Sequence, residues 1–271
     1  MRRITAPAVI GLLIVLVCVG GVAFAPWLAP HDPNVSMGGR WEPPSQEHWL
    51  GLDQIGRDML SRILYAGRVS IGVPLLASVL AFAVGIVAGL AAALLGGWVD
   101  ALLSRAADIV LSIPILISVL IVLSRFGASA TVLILTIGLL YSVLVFRTAR
   151  GVAASIAAQG HVEAARLRGE GLAWLITREI LPSACAPLAA EFGQRFCFAF
   201  LFVAALSFLG LGVQPQDADW GSMVRESAFA IPAGIAAPLY PAAAIALLTI
   251  GVNMMVDWLL SPQTRPKAEK A

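Results

Sequence analysis

The polar residues that interrupt this otherwise apolar chain are concentrated between Arg147 and Pro187, where Glu163-Ala164-Ala165 is followed by Gly169 and then by Leu181-Pro182. An acid beside two small residues suits protein contact rather than bond making, because the carboxylate offers charge and the alanines let another surface approach closely. Arg147, Arg150, Arg166, Arg168, Arg178 and Glu179 share the block. A charge at the centre of a bilayer costs roughly 2.5 to 3.5 kcal/mol on insertion scales, so this block must leave the hydrocarbon, and outside it the block is placed to meet a soluble partner.

Nothing else in the chain reads as catalytic machinery. No Ser/His/Asp or His-Glu metal grouping falls at spanning depth. A G-x-x-x-x-G-K-[ST] phosphate loop is absent from the sequence, so energy must come from elsewhere. His31, His48 and His161 are too far apart in sequence to argue for a metal site. Cys18, Cys185 and Cys197 are odd in number and widely spaced, as packing thiols are. The expectation is no catalytic residue, no metal and no cofactor in this chain.

The elements that must position the polar block follow from composition. Hydrophobic residues make up 59% and charged residues 13%, against about 25% charged in a soluble domain, which defines a polytopic membrane protein. A net charge of +2 without a basic stripe gives no nucleic-acid surface. Spanning needs roughly 20 apolar residues, and six stretches qualify: about 8–28, 71–95, 109–123, 130–146, 192–213 and 236–260. The expected fold is all-α, with both termini on the cytoplasmic side by the Lys/Arg bias of the loops, which also makes the polar block cytoplasmic. The first span mimics a secretory signal at Ala23-Phe24-Ala25, but its length and Pro26 argue for an uncleaved helix.

Three regions are expected: 1–70, with the first helix, an outer loop and an interfacial helix; 71–262, a transport core holding the loop 147–187; and a cytoplasmic tail, 263–271. The interfacial helix is read from Gly56 to Ser70, where Met59, Leu60, Ile63, Leu64 and Val69 interleave with arginines. Within the polar block, Gly151 and Gly160 offer break points, Val162, Ala165, Arg166 and Gly169 share one helix face, and Gly169 and Gly171 can turn the chain. A second short helix presents Leu172, Leu175, Ile176 and Ile180 until Pro182 stops it. Without further information, the block is equally an ordinary loop whose alanines favour helix.

The spacing Glu163-Ala164-Ala165, Gly169, Leu181-Pro182 resembles the EAA loop of permease subunits of bacterial ABC importers. The family's apolar residue two positions before the leucine is Glu179 here. His48-Trp49-Leu50-Gly51-Leu52-Asp53, Gly56-Arg57-Asp58, and Ser207 to Pro215 with Trp220-Gly221 are similar to runs in the dipeptide/oligopeptide/nickel branch, in its C-type subunit. That resemblance implies a type I importer permease in the inner membrane, embedded in lipid and paired with a B-type permease. It also implies two ATPase subunits that bind ATP and Mg, and a binding protein that delivers substrate. Short peptides are the favoured cargo; nickel chelates, haem or opine-like solutes stay open.

Carried over by residue, Glu163, Ala164, Ala165 and Gly169 would couple to the ATPases, with Leu181 and Pro182 closing the element. Asp257 and Asn253 are candidates for the translocation path or for packing, and Asp217, Asp219 and Trp220 for docking of the binding protein. Glu191 and Arg195 are expected to pair, Asp100, Arg105 and Asp108 to lie in a solvated inner loop, and Gly85 and Gly89 to permit close helix packing. A secondary carrier would need broken helices or an internal repeat, neither of which is evident.

Overall fold

A bilayer forces every backbone polar group to be satisfied within the segment that crosses it, so long helices are the expected outcome of such a sequence. The computed structural model describes residues 6–213 and 218–260, and these are helical with irregular connections. In chain order the helices are α1 (Ala6–Ala23), α2 (Ala25–Leu28), α3 (Met59–Leu95), α4 (Gly97–Leu111), α5 (Ile115–Phe126), α6 (Ala130–Ala157), α7 (Gly160–Leu167), α8 (Leu172–Trp174), α9 (Leu181–Phe208), α10 (Trp220–Ser227) and α11 (Leu239–Leu260). A π-helical segment, Leu175–Ile180, joins α8 to α9. The tail 263–271, Arg2 and Arg3, and Gln214 to Asp217 lie outside the described residues.

Among the described residues, five helical stretches are long and apolar enough to cross a membrane, and six if the bent pair α4 and α5 counts as one. Helix directions favour six. A Cβ on Gly138 would lie 3.0 Å from the Ala77 carbonyl, one on Gly85 2.6 Å from Val145 Cβ, and one on Gly89 2.8 Å from Ala149 Cβ. Residue numbers rise together along both helices, so α3 and α6 run parallel. The chain between them must therefore cross back, and α4 with α5 is the available return. Gly85 and Gly89 thus serve the close packing expected of them, since any side chain would collide with α6.

The spans differ from the hydropathy reading where helices continue beyond lipid. Helix α3 has 37 residues, about 55 Å at 1.5 Å per residue, against a hydrocarbon core of about 30 Å. The segment expected to lie in the interface is the first three turns of this helix, with Met59, Ser61, Arg62, Ala66, Gly67 and Ser70 buried. Met59 and Arg62 face protein, Leu60, Ile63, Leu64 and Val69 are half-buried and Arg68 is exposed, a division periodicity does not give. The third span is not one helix: Pro114 leaves φ −54°, ψ 130° between α4 and α5, which bend by 78°. Proline lacks an amide hydrogen and so ends the ladder there.

Asp100, Arg105 and Asp108 belong to helix α4 rather than to a loop. Arg150 grips Asp100 through Nε (2.5 Å) and Nη2 (2.6 Å), and Arg147 reaches Asp108 at 2.5 Å. The two pairs staple α4 to the end of α6. Glu191 and Arg195 form the expected pair at 2.6 Å.

Candidate functional site

The polar block is built as a shelf at the end of the bundle where α3 and α6 finish. Helix α6 runs through Gly151 to Ala157, so that glycine breaks nothing, while Gly160 opens α7. An eight-residue helix is too short to be stable alone and must borrow stability from packing. Val162 and Ala165, both 0% exposed, supply it. They enter an apolar cluster with Ala149, Ala153 and Ile156 of α6, Leu175 and Ile180 of the π-helical segment, and Ala184 and Leu188 of α9. Leu167, by contrast, is 85% exposed.

Glu163 and Ala164 point away from this cluster and are exposed. Arg166 is exposed as well, off the face shared by Val162 and Ala165, and makes no ion pair with Glu163 among the described residues. The end of α7 accounts for the spacing to Gly169. The Glu170 amide donates to the Ala165 carbonyl (3.3 Å) and the Gly169 amide to the Arg166 carbonyl (2.9 Å). These two bonds make a Schellman cap, which needs a left-handed residue at its centre. Gly169 has φ +83° with open space around its Cα, so backbone conformation alone calls for glycine there. Gly171 keeps φ −74° and starts α8.

Pro182 does not stop the following helix. The π-helical segment passes directly into α9, whose first turn holds Leu181 and Pro182, both exposed. The Leu181 amide donates to the Ile176 carbonyl five residues back, and this π-helical spacing lets proline follow without breaking the helix. The polar shelf is thus continuous with a helix that reaches Phe208 on the other side of the bundle. Leu175 and Ile180 are buried as expected, whereas Leu172 is exposed. Glu179, in place of the apolar residue, approaches His161 Nε2 of α7 at 3.7 Å.

At the opposite end, the residues expected to dock a partner are spent inside the fold. Asp219 and Trp220 are each 2% exposed, and Asp217 is outside the described residues. Asp219 caps α10 by accepting from the amides of Gly221 (2.8 Å) and Ser222 (3.1 Å). Burial raises its carboxyl above the ordinary range despite those bonds. The Trp220 indole donates to the Ile63 carbonyl at 2.9 Å and its amide to Ser70 Oγ at 2.8 Å. Its ring meets Phe200 edge-on and covers Gly67, where a Cβ would lie 2.9 Å from the indole. Neither side chain is free to touch a docking protein.

A network that sequence reasoning missed joins this outer cap. Asp53 is fully buried and Arg62 3% exposed. Asp53 accepts from Arg62 (2.5 Å) and Arg57 (2.7 Å), and Glu226 of α10 lies 3.1 Å from Arg62 and 3.5 Å from Arg57. Burial alone would raise the Asp53 carboxyl, but the Arg57 and Ile55 amides and the two guanidinium groups outweigh it and hold it below the usual carboxylate range. Fold also brings His31 and His48 beside Asp58, although they are distant in sequence. In α11, Asn253 and Asp257 are both exposed, and the Asn253 amide donates to the Thr249 carbonyl at 3.0 Å.

Spanning helices, with α3 and α6 parallel and a short helix packed on a shelf at one end, make a polytopic membrane protein. The family model described as binding-protein-dependent transport system inner membrane component matches residues 85–261, and the N-terminal TM domain of oligopeptide transport permease C matches residues 6–46. The chain belongs to this family of inner-membrane permeases of ABC transporters. It is similar to the probable D,D-dipeptide transport system permease protein DdpC of Escherichia coli (strain K12), at 35% identity over 96% of this chain and 87% of the relative. It is also similar to the dipeptide transport system permease protein DppC of Alkalihalophilus pseudofirmus, at 32% over 93% and 83%. The glutathione transport system permease protein GsiD of Escherichia coli O6:K15:H31 is 29% identical over 93% and 84%. Such permeases imply ATPase and binding-protein partners.

Proposed function

We propose that this chain is the C-type permease of an importer for short peptides, forming the translocation path with a B-type permease. Two partner ATPases bind ATP and Mg and drive the cycle, and an extracytoplasmic binding protein delivers the substrate. Relatives named for D,D-dipeptide, dipeptide and glutathione transport support a short-peptide cargo. The observation that carries the coupling role is the division of labour in α7: Val162 and Ala165 anchor it while Glu163 and Ala164 face solvent.

In this reading Glu163, Ala164 and Gly169 form the contact with the ATPase, Ala165 seats the helix beneath them, and Leu181 and Pro182 lie at its edge. ATPase closure pushes on α7, and its packed cluster passes the displacement to α6 and α9 as a rigid-body switch. Asn253 and Asp257 remain candidates for the path between the two permeases. The binding protein meets the outer loop 30–58 and the exposed Phe229 and Ile231 instead of Asp219 and Trp220.

The test is copurification of the tagged chain from its native membrane, with ATPase activity measured in lipid. A second permease and two ATPase chains should accompany it. Val162→Asp should undock α7 and abolish peptide-stimulated hydrolysis while the spanning bundle keeps its thermal stability, and Glu163→Ala should reduce stimulation. A chain recovered alone, with transport indifferent to ATP, would sink the importer reading.

A further inference from the structure

We propose that His31, His48 and Asp58 form a binding site for one divalent metal ion of the zinc type at the outer end of the bundle. The two imidazoles come from the irregular stretch between α2 and α3, and Asp58 is the N-cap of α3. Asp58 Oδ1 lies 3.2 Å from His48 Nδ1 and 3.9 Å from His31 Nδ1. One donor atom from each residue fits within a span of 4.8 Å. In a tetrahedral zinc site with bonds of about 2.0–2.1 Å, donors stand roughly 3.3 Å apart, so a modest rotation of the His31 ring completes the geometry. The imidazole centroids are already 4.9 Å apart.

Two observations favour a cation over a plain hydrogen-bonded cluster. His31 Nδ1 is buried and has no hydrogen-bond partner among the described residues, and such an orphan costs about 1–3 kcal/mol. Asp58 is a fully buried carboxylate, and its only neighbours able to carry positive charge among the described residues are the two imidazoles. Arg57 and Arg62 give their guanidinium groups to Asp53 and Glu226. A His48–Asp58 hydrogen bond satisfies one imidazole and leaves the other stranded.

The carboxylate is also oriented in advance. Its Oδ2 accepts from the Ser61 amide (2.8 Å) and the Ser61 hydroxyl (2.6 Å), which leaves Oδ1 turned to the imidazoles. Ser61 Oγ accepts in turn from the His31 amide at 3.2 Å. Backing of this kind fixes ligand geometry in metal sites. Two nitrogens and one oxygen suit Zn2+ among available divalent ions and leave a fourth position open. The bound ion ties the outer loop to the start of α3.

The test uses the full chain with its copurified partners in lipid nanodiscs, dialysed against a chelator and titrated with ZnCl2, with bound metal counted by mass spectrometry. One saturable Zn2+ per chain is expected, and Co2+ in its place should give tetrahedral visible absorption bands. His31→Gln and His48→Gln should each weaken binding at least about 10-fold. Asp58→Asn, which keeps an acceptor for Ser61, should do the same, while His161→Gln at the opposite end binds like the parent. Absence of a saturable equivalent, or unchanged binding in the His31 and His48 variants, overturns the site. A thermal stability that follows pH but not Zn2+ also overturns it and assigns the cluster to proton sharing.

Discussion

Replacing Arg62 by methionine isolates the electrostatics of the outer cap from its packing, because methionine fills much of the arginine stem. The change deletes the 2.5 Å contact to Asp53 and the 3.1 Å contact to Glu226. Asp53 stays fully buried but keeps Arg57 at 2.7 Å and the amides of Ile55 and Arg57 at 2.9 Å. Breaking a buried pair on one side costs about 3–5 kcal/mol, and the surviving partners place this case near the lower end, at about 3 kcal/mol. Hydrogen exchange of the amides from Leu52 to Ile63 should accelerate roughly 10²-fold, since each 1.4 kcal/mol is a factor of ten. Asp53→Asn combined with Arg62→Met should recover part of the loss, because no uncompensated charge remains. Acid adds an independent readout. The folded Asp53 carboxyl titrates below its ordinary value, so its stabilisation is complete above the unfolded value of about 3.9 and is lost as pH falls through the folded one. In the Arg62 variant the folded value moves toward the unfolded one, so the acid-dependent loss should be smaller and complete at higher pH. Exchange within about threefold of the parent, or strict additivity in the double variant, would refute the reasoning.

Gly85→Ala forces a Cβ to 2.6 Å from Val145 Cβ and 2.7 Å from the Ser142 carbonyl. Overpacking of this kind costs about 1–3 kcal/mol and should lower the melting temperature in nanodiscs, whereas Gly72→Ala, with open space around it, should not. Asp219→Ala removes a cap worth about 1 kcal/mol, while Asp219→Asn keeps the acceptor and should match or exceed the parent at neutral pH. The sign follows from the raised Asp219 carboxyl: the fold favours the neutral acid, so its contribution is present at low pH and is lost as pH rises through the folded value. The asparagine variant should lack that slope in a melting-temperature series. Gly169→Ala, which strains a left-handed position, should cost about 1–2 kcal/mol locally and appear as faster exchange of the Glu170 amide.

What could be read along the chain depended on whether lipid or protein was the solvent. The spanning cores of α1, α6 and α11 were visible because hydrocarbon tolerates only apolar helices. The outer turns of α3 were read as a separate interfacial helix because a helix partly buried in protein and one lying on a membrane surface carry the same interleaved pattern. Pro182 was read as a stop because proline removes an amide from the helical ladder, and only the structure shows the π-helical lead-in that carries the chain through it. Asp219 and Trp220 were taken for surface because a polar loop residue gives no sign of its burial until Gly67 and Gly221 let neighbouring helices close over it.

The amino-acid sequence by itself determined the membrane class, the side on which the charged block must lie, and the spacing from Glu163 to Gly169, since each follows from local rules of solvation and backbone conformation. Tertiary structure decided which face of α7 is anchored, the parallel run of α3 and α6 that makes α4 and α5 a return crossing, and the meeting of His31 with His48 over Asp58. Those outcomes depend on contacts between residues far apart along the chain, whose energies exist only once the helices have packed.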